Sequence, residues 1–300
     1  MVEIRVAEYG GWKNCVAMSN GRVRLVATTD VGPRILRFGP GDGDLNMFHE
    51  EKAQLGLSGS PQWLAYGGHR LWHAPQEGDR PNQPDNGKVG YAINGDSVEL
   101  YGDEEPATRV RKELLITMSE DGPEVSVRHR IYNNNPWPIR LASWGLSMMR
   151  AGGLEVLPIP RNDTRYLPNY MISFWPWTRP NDGRFTLGEK FMLLRHDPAD
   201  GGWFKIGYRN VEGWGAYIYG GHVFVKICRL ESDGEYPDFG SSFETFADGS
   251  FVELEALSPL KTVGAGEFVE HTEEWKLAEC AGFPSTEKEI EECVVPLARP

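Results

Sequence analysis

Arg109-Val110-Arg111-Lys112-Glu113-Leu114-Leu115-Ile116-Thr117-Met118 and Glu124-Val125-Ser126-Val127-Arg128-His129-Arg130-Ile131-Tyr132 are separated by the turn Glu120-Asp121-Gly122-Pro123. Successive side chains of an extended chain point to opposite faces, so alternation of apolar and polar residues marks a half-buried strand. Two such runs around a Gly-Pro turn predict an antiparallel hairpin. Outward from this hairpin the pattern repeats. Val23-Arg24-Leu25-Val26-Ala27 follows the turn pair Asn20-Gly21, and Val31 to Phe38 alternates after it. Ile139 to Met149 follows the turn Asn133 to Pro138, His222 to Cys228 is a further strand, and residues 250–277 read as two more around Gly264-Ala265-Gly266. The one persuasive helix is Ser285 to Glu292, with Ser285 as N-cap and acids in its first turn. Many short strands and almost no helix predict an all-β protein of large antiparallel sheets with a short C-terminal helix. No composition break divides residues 1–300, so a single domain is expected.

The chain of 300 residues is 40% hydrophobic and holds 10 Trp, 11 Tyr and 13 Phe, enough for a large core. Its net charge of −12, from 43 acidic against 31 basic residues, argues against nucleic acid or an anionic membrane as partner. The first residues, Met1-Val2-Glu3-Ile4-Arg5-Val6, do not read as a signal peptide, and no apolar run reaches membrane-spanning length. A cytoplasmic protein is expected. Cys15, Cys228, Cys280 and Cys293 lie far apart with no Cys-x-x-Cys pair, which predicts reduced thiols and no zinc cage. Nucleophile-elbow, phosphate-loop and dinucleotide motifs are missing, so nucleotide and nicotinamide cofactors drop out.

Two stretches carry candidate chemistry. Tyr66-Gly67-Gly68-His69-Arg70-Leu71-Trp72-His73-Ala74-Pro75 gathers two histidines, an arginine and a tryptophan behind a glycine pair. Metal binding by His69 and His73 lacks a clear third ligand. Both histidines and Arg70 read better as hydrogen-bond donors to hydroxyls or a ring oxygen, with Trp72 stacking on a sugar's apolar face. The alternative is a turn whose His and Trp simply pack. In Phe251-Val252-Glu253-Leu254-Glu255-Ala256-Leu257, Glu253 and Glu255 share one strand face with Phe251 and Leu257, and Val252, Leu254 and Ala256 take the other. Two such acids line a polar cleft, are matched by Arg or Lys, or are ordinary surface residues; in a cleft, one would serve as general base. Asp238, Glu244 and Lys226 are further candidates, with Lys226 facing a cleft acid or solvent. The pair Trp175 and Trp177 is either core or a second platform for a sugar, with core the preferred reading.

These residues together resemble a family. Val31-Gly32-Pro33-Arg34-Ile35, Gly67 to Trp72, Pro84-Asp85-Asn86, Tyr236-Pro237-Asp238, Phe251 to Leu260 and His271-Thr272-Glu273-Glu274-Trp275 look like an uncharacterised family with the galactose mutarotase-like fold, over about residues 20–277. The resemblance implies a β-supersandwich with one sheet curved around an open, sugar-binding cleft. In aldose 1-epimerases a late glutamate removes the anomeric hydroxyl proton and a histidine protonates the ring oxygen. The resemblance places Glu255 at that glutamate, with Glu253 as the next choice. Leu141 to Met148, which resembles the epimerases' histidine strand, holds no histidine, so His69 or His73 would substitute. Arg70 and Asp85 would hold hydroxyls or a charged substituent, with Trp72, Asn86, Lys226, Asp238 and Glu253 as other substrate contacts. An aldose 1-epimerase acting without cofactor or metal, a non-catalytic carbohydrate-binding protein, and a glycoside hydrolase or lyase all stay open. The expected partner is a small sugar or an oligosaccharide.

Overall fold

The computed structural model describes residues 1–298. The hairpin forms as predicted: strands Val110–Met118 and Glu124–Asn133 pair antiparallel with Leu114 opposite His129. Leu114, Ile116, Met118, Val125, Val127 and Ile131 are buried, which is why the alternation was legible. The hairpin belongs to a sheet of ten strands. Its order is Phe185–Leu187, Phe191–Arg195, Leu154–Pro158, Trp214–Tyr219, His222–Ile227, Phe268–Glu279, Glu124–Asn133, Val110–Met118, Ser97–Glu104 and Gly90–Asn94.

A second sheet carries the candidate residues. It runs Glu3–Tyr9, Trp12–Ser19, Val23–Thr28, Arg34–Pro40, His69–Ala74, Ile139–Arg150, Phe251–Leu257, Phe243–Ala247, Phe204–Tyr208 and Ile172–Phe174, with Lys261–Val263 paired to Ile139–Arg150 off the main path. Its central neighbours pair antiparallel. The two sheets bury one continuous core between them, with Leu25, Leu71 and Leu254 from one side and Leu114, Val127 and Leu277 from the other. At its centre Phe38, Phe48, Phe224 and Trp275 interlock with ring centroids 5.5 to 6.4 Å apart.

A smaller core lies behind the ten-stranded sheet, where Val223 and Val225 meet Ile290 and Val294. Ile290 belongs to the helix Glu287–Cys293, which starts later than the sequence predicts. Thr286, not Ser285, is the N-cap, accepting from Glu289 N at 3.2 Å. Ser285 instead donates its backbone N–H and hydroxyl to the Glu289 carboxylate at 2.6 and 3.0 Å. This is a capping box displaced by one residue, and Ser-Thr in tandem made the two caps indistinguishable by residue type alone.

Candidate functional site

The register of the first sheet lines up the site. Arg70 stands opposite Leu146, Leu146 opposite Glu255, and Glu255 opposite Glu244. Cross-strand partners share a face, so these residues project together from the side of the sheet away from the core. On the strand Phe251–Leu257, Val252, Leu254 and Ala256 enter the core and both glutamates take the outer face, as the alternation predicts.

Each charge on this outer face has a partner. Arg70 Nη2 lies 2.8 Å from Glu253 Oε1, and the guanidinium sits 4.5 Å from the Trp72 ring and 5.3 Å from the Trp63 ring. Glu255 Oε2 accepts from Trp144 Nε1 at 2.8 Å and from Lys205 Nζ at 2.9 Å. The same Lys205 ammonium lies 2.8 Å from Glu244 Oε2, so one cation serves two carboxylates. Trp144 and Trp175 flank that ammonium at 4.7 and 4.9 Å. Burial works against the charge of Lys205, but Glu244 and Glu255 outweigh it and hold its pKa above the ordinary lysine range. Glu244 is pushed well above the usual carboxylate range by burial, with the Glu255 and Asp238 charges adding to the shift against the pull of Lys205. Glu253 is pushed up to about 7, chiefly by burial, with Arg70 opposing.

Glu255 and Glu244 are sealed from solvent, whereas Glu253 keeps 6% of its surface exposed, so Glu253 is the less enclosed carboxylate of this strand. Trp63, Trp72 and Trp175 are half-buried beside it. Trp177 is 45% exposed, so the expectation that Trp175 and Trp177 are core is corrected. Their run of aromatic residues follows a short edge strand, Ile172–Phe174, and does not enter the space between the sheets.

His69 and His73 take the other face of their strand. With Arg70 and Trp72 outward, residues 69, 71 and 73 point into the core, so neither histidine shares a face with Glu255. The expectation that one of them acts as the acid beside it is overturned by strand parity. His69 Nε2 lies 2.7 Å from His129 Nε2, and His69 Nδ1 lies 2.9 Å from Ser147 Oγ. His129 Nδ1 donates to the His271 carbonyl at 3.1 Å, and His271 Nε2 lies 3.2 Å from Cys228 Sγ. Burial drives His69 well below the ordinary histidine value and lowers His129 and His271 to about 3, so this network is neutral. His73 is also driven well down by burial, and neither of its ring nitrogens has a hydrogen-bond partner.

Lys226 is also interior, which corrects the expectation that it meets a cleft acid or solvent. Its ammonium lies 3.2 Å from Glu273 Oε1 and donates to the Leu254 carbonyl at 2.8 Å. His69, His129 and Glu273 have ligand atoms within 4.8 Å of one another, the spacing of a metal site. Lys226 already balances the Glu273 charge, however, and a divalent cation added there would leave excess positive charge buried. The cluster is an interior hydrogen-bond network.

The remaining predicted contacts lie off the line of charges. Asp85 pairs with Arg34 at 2.7 Å, and the Asn86 amide donates to the Ser60 and Gln62 carbonyls at 2.8 and 2.5 Å. Both tie loops together. Asp238 and Phe239 adopt left-handed backbone at φ 51° and 62°, with Ser173 and Ser241 hydroxyls donating to the Asp238 carbonyl. Of the predicted residues, the structure therefore brings together Arg70, Trp72, Glu253 and Glu255, with Asp238 acting on Glu244 from nearby. Sequence reasoning missed Lys205, Trp144 and Trp63. The only signal for Lys205 was the rule that two acids on an otherwise apolar strand require a cation.

No protein-family model matches the chain, and no curated protein matches it. Among solved structures, a galactose mutarotase-like protein from Lactobacillus casei is similar at TM-score 0.56 and 10% identity, covering 88% of this chain and 100% of that one. A galactose mutarotase-like protein from Clostridium acetobutylicum is similar at TM-score 0.52 and 11% identity, covering 93% of this chain and 98% of that one. A TPR-domain containing protein from Parabacteroides distasonis reaches TM-score 0.60 at 11% identity; the match covers 91% of this chain and 49% of that protein, so the chain spans about half its length. The chain has the galactose mutarotase-like fold, an all-β structure of two large antiparallel sheets with a short C-terminal helix. At these identities the likeness is one of fold.

Proposed function

We propose that the chain binds a carbohydrate on the outer face of the first sheet, over Arg70, Glu253 and Lys205. The observation that carries this reading is the make-up of that face: paired charges flanked by half-buried Trp63, Trp72 and Trp175. Sugars offer apolar C–H faces to aromatic rings and hydroxyls to ionised hydrogen-bonding groups, and this face supplies both. The fold, shared with proteins described as galactose mutarotase-like, supports the same ligand class. Saturation-transfer difference NMR against free aldoses, uronic acids and sugar phosphates tests it. Signal transfer to at least one sugar is expected, and silence across the panel would refute the reading.

A second reading, an aldose 1-epimerase, is favoured by the place of Glu253 on this face, where burial pushes its carboxyl up to about 7. A general base works best with a pKa near the working pH and with access to the substrate. In that reaction Glu253, rather than the sealed Glu255, takes the proton of the anomeric hydroxyl. The C1–O1 double bond forms as the bond from C1 to the ring oxygen breaks, the ring oxygen takes a proton from a solvent water, and after rotation about C1–C2 closure returns that proton to water and the proton on Glu253 to O1. Anomer exchange above the spontaneous rate, lost by orders of magnitude in Glu253→Gln with sugar binding held within a few-fold, is the expected result. Binding without exchange would leave a carbohydrate-binding protein.

A further inference from the structure

A row of aromatic rings crosses the outer face beside the charged line. Trp203 immediately precedes the strand Phe204–Tyr208, Phe246 lies on Phe243–Ala247, and Phe251 begins Phe251–Leu257. These three strands are consecutive neighbours in the sheet. His49, in the loop segment that bridges to the next strand, Ile139–Arg150, continues the row, its backbone N–H donating to the Met148 carbonyl at 2.8 Å. Ring centroids are separated by 6.0 Å from Trp203 to Phe246, 6.0 Å from Phe246 to Phe251, and 5.3 Å from Phe251 to His49. Trp177 extends the row outward at 5.8 Å from Trp203. The row crosses the strands in a zigzag, with Phe246 two residues along from the level of Trp203 and Phe251, and successive rings are tilted by 39° to 80°.

These rings do not belong to the core. Trp177 and Trp203 are 45% and 58% exposed, and Phe246, Phe251 and His49 are half-buried. Beyond His49 the line opens into a hollow of about 370 Å³, lined among others by Lys52, Arg150 and Ser250. A monosaccharide over Glu253 would touch two of the rings at most. The remainder are laid out with a repeat comparable to one pyranose unit. Arg70 and Lys205, beside the middle of the row, are both engaged by glutamates, whereas the hollow at its end is lined by Lys52 and Arg150.

We infer that the row is a set of subsites for a linear oligosaccharide lying across the strands, which passes Glu253 beside Phe246 and Phe251 and runs out over Trp203 and Trp177. This rests on the carbohydrate reading of the face and specifies its ligand. Neighbouring units stack on successive rings, and their hydroxyls face the charged line.

The test is isothermal titration of the full chain with gluco-, manno-, xylo- and galacto-oligosaccharides of increasing length, alongside the parent monosaccharides. Affinity for at least one series should rise at least tenfold from monomer to tetramer. In Trp203→Ala, whose side chain is largely exposed and outside the core, most of that increase should disappear; Phe246→Ala should act in the same direction. Monosaccharide binding with no gain on lengthening would overturn this inference and leave the carbohydrate reading intact. A gain that survives both substitutions would also overturn it. Failure to bind any sugar of any length would remove both.

Discussion

Lys205 holds the outer face together. Two buried carboxylates, Glu244 and Glu255, depend on its one ammonium. Lys205→Met keeps the apolar stem and removes the charge, leaving both acids buried without a counter-ion. Loss of one partner from a buried ion pair typically costs about 3–5 kcal/mol, and urea unfolding of Lys205→Met should show a loss of that order. An unchanged midpoint would mean that the two glutamates are protonated and self-sufficient. Glu253 makes a second prediction. Its pKa of about 7 in the folded protein lies above the ordinary value of 4.5, so between those values the folded state holds a proton that the unfolded chain has released. Its contribution to stability is fully present below pH 4.5 and is lost as pH rises through 7. The buried histidines act oppositely: their contribution is present above their ordinary 6.5 and is lost as pH falls. The Glu253 effect is therefore read as a difference, and wild type should lose stability relative to Glu253→Gln on going from pH 5 to pH 8. A flat difference would place the Glu253 carboxyl at its ordinary pKa.

At the scale of elements, strand existence was legible and strand facing was legible wherever apolar residues marked one parity. Phe251–Leu257 is the clear case, because Val252, Leu254 and Ala256 declare the core side and leave the glutamates outside. In His69–Ala74 the same signal was present but thin. Leu71 is the residue that marks the core side, and it carries His69 and His73 inward with it. Imidazole and indole are both amphipathic, so composition alone did not say which of His73 and Trp72 faces the outside. The helix start failed for a similar reason, with Ser285 and Thr286 equally good caps. Thr286→Ala should lower the stability of the C-terminal helix and its small core by about 1 kcal/mol, and Ser285→Ala by less. Equal or reversed effects in thermal unfolding would contradict the cap assignment.

The whole molecule decides what no single stretch contains. Arg70, Lys205 and Glu255 meet because strands distant in sequence become sheet neighbours, in an order that local alternation does not encode. The family resemblance reached the fold, and strand parity then separated the predicted site into an outer set around Glu253 and an interior set around His69 and Lys226. The same order aligns Trp203, Phe246 and Phe251, residues that nothing in their local sequence connects. Among the described residues, no helix is long and apolar enough to cross a membrane.

The central claim, that a carbohydrate binds on the outer face over Arg70 and Glu253, is tested most directly by the indole N–H resonances of an isotope-labelled sample. The 10 tryptophans are spread over both faces and the core, so each acts as a local reporter. On titration with a binding sugar, the account predicts shifts in the signals of Trp63, Trp72 and Trp175, while the buried Trp12 and Trp275 stay unmoved. Sugar-induced shifts confined to Trp214, behind the other sheet, or no shift at any tryptophan with a sugar shown to bind, would contradict it.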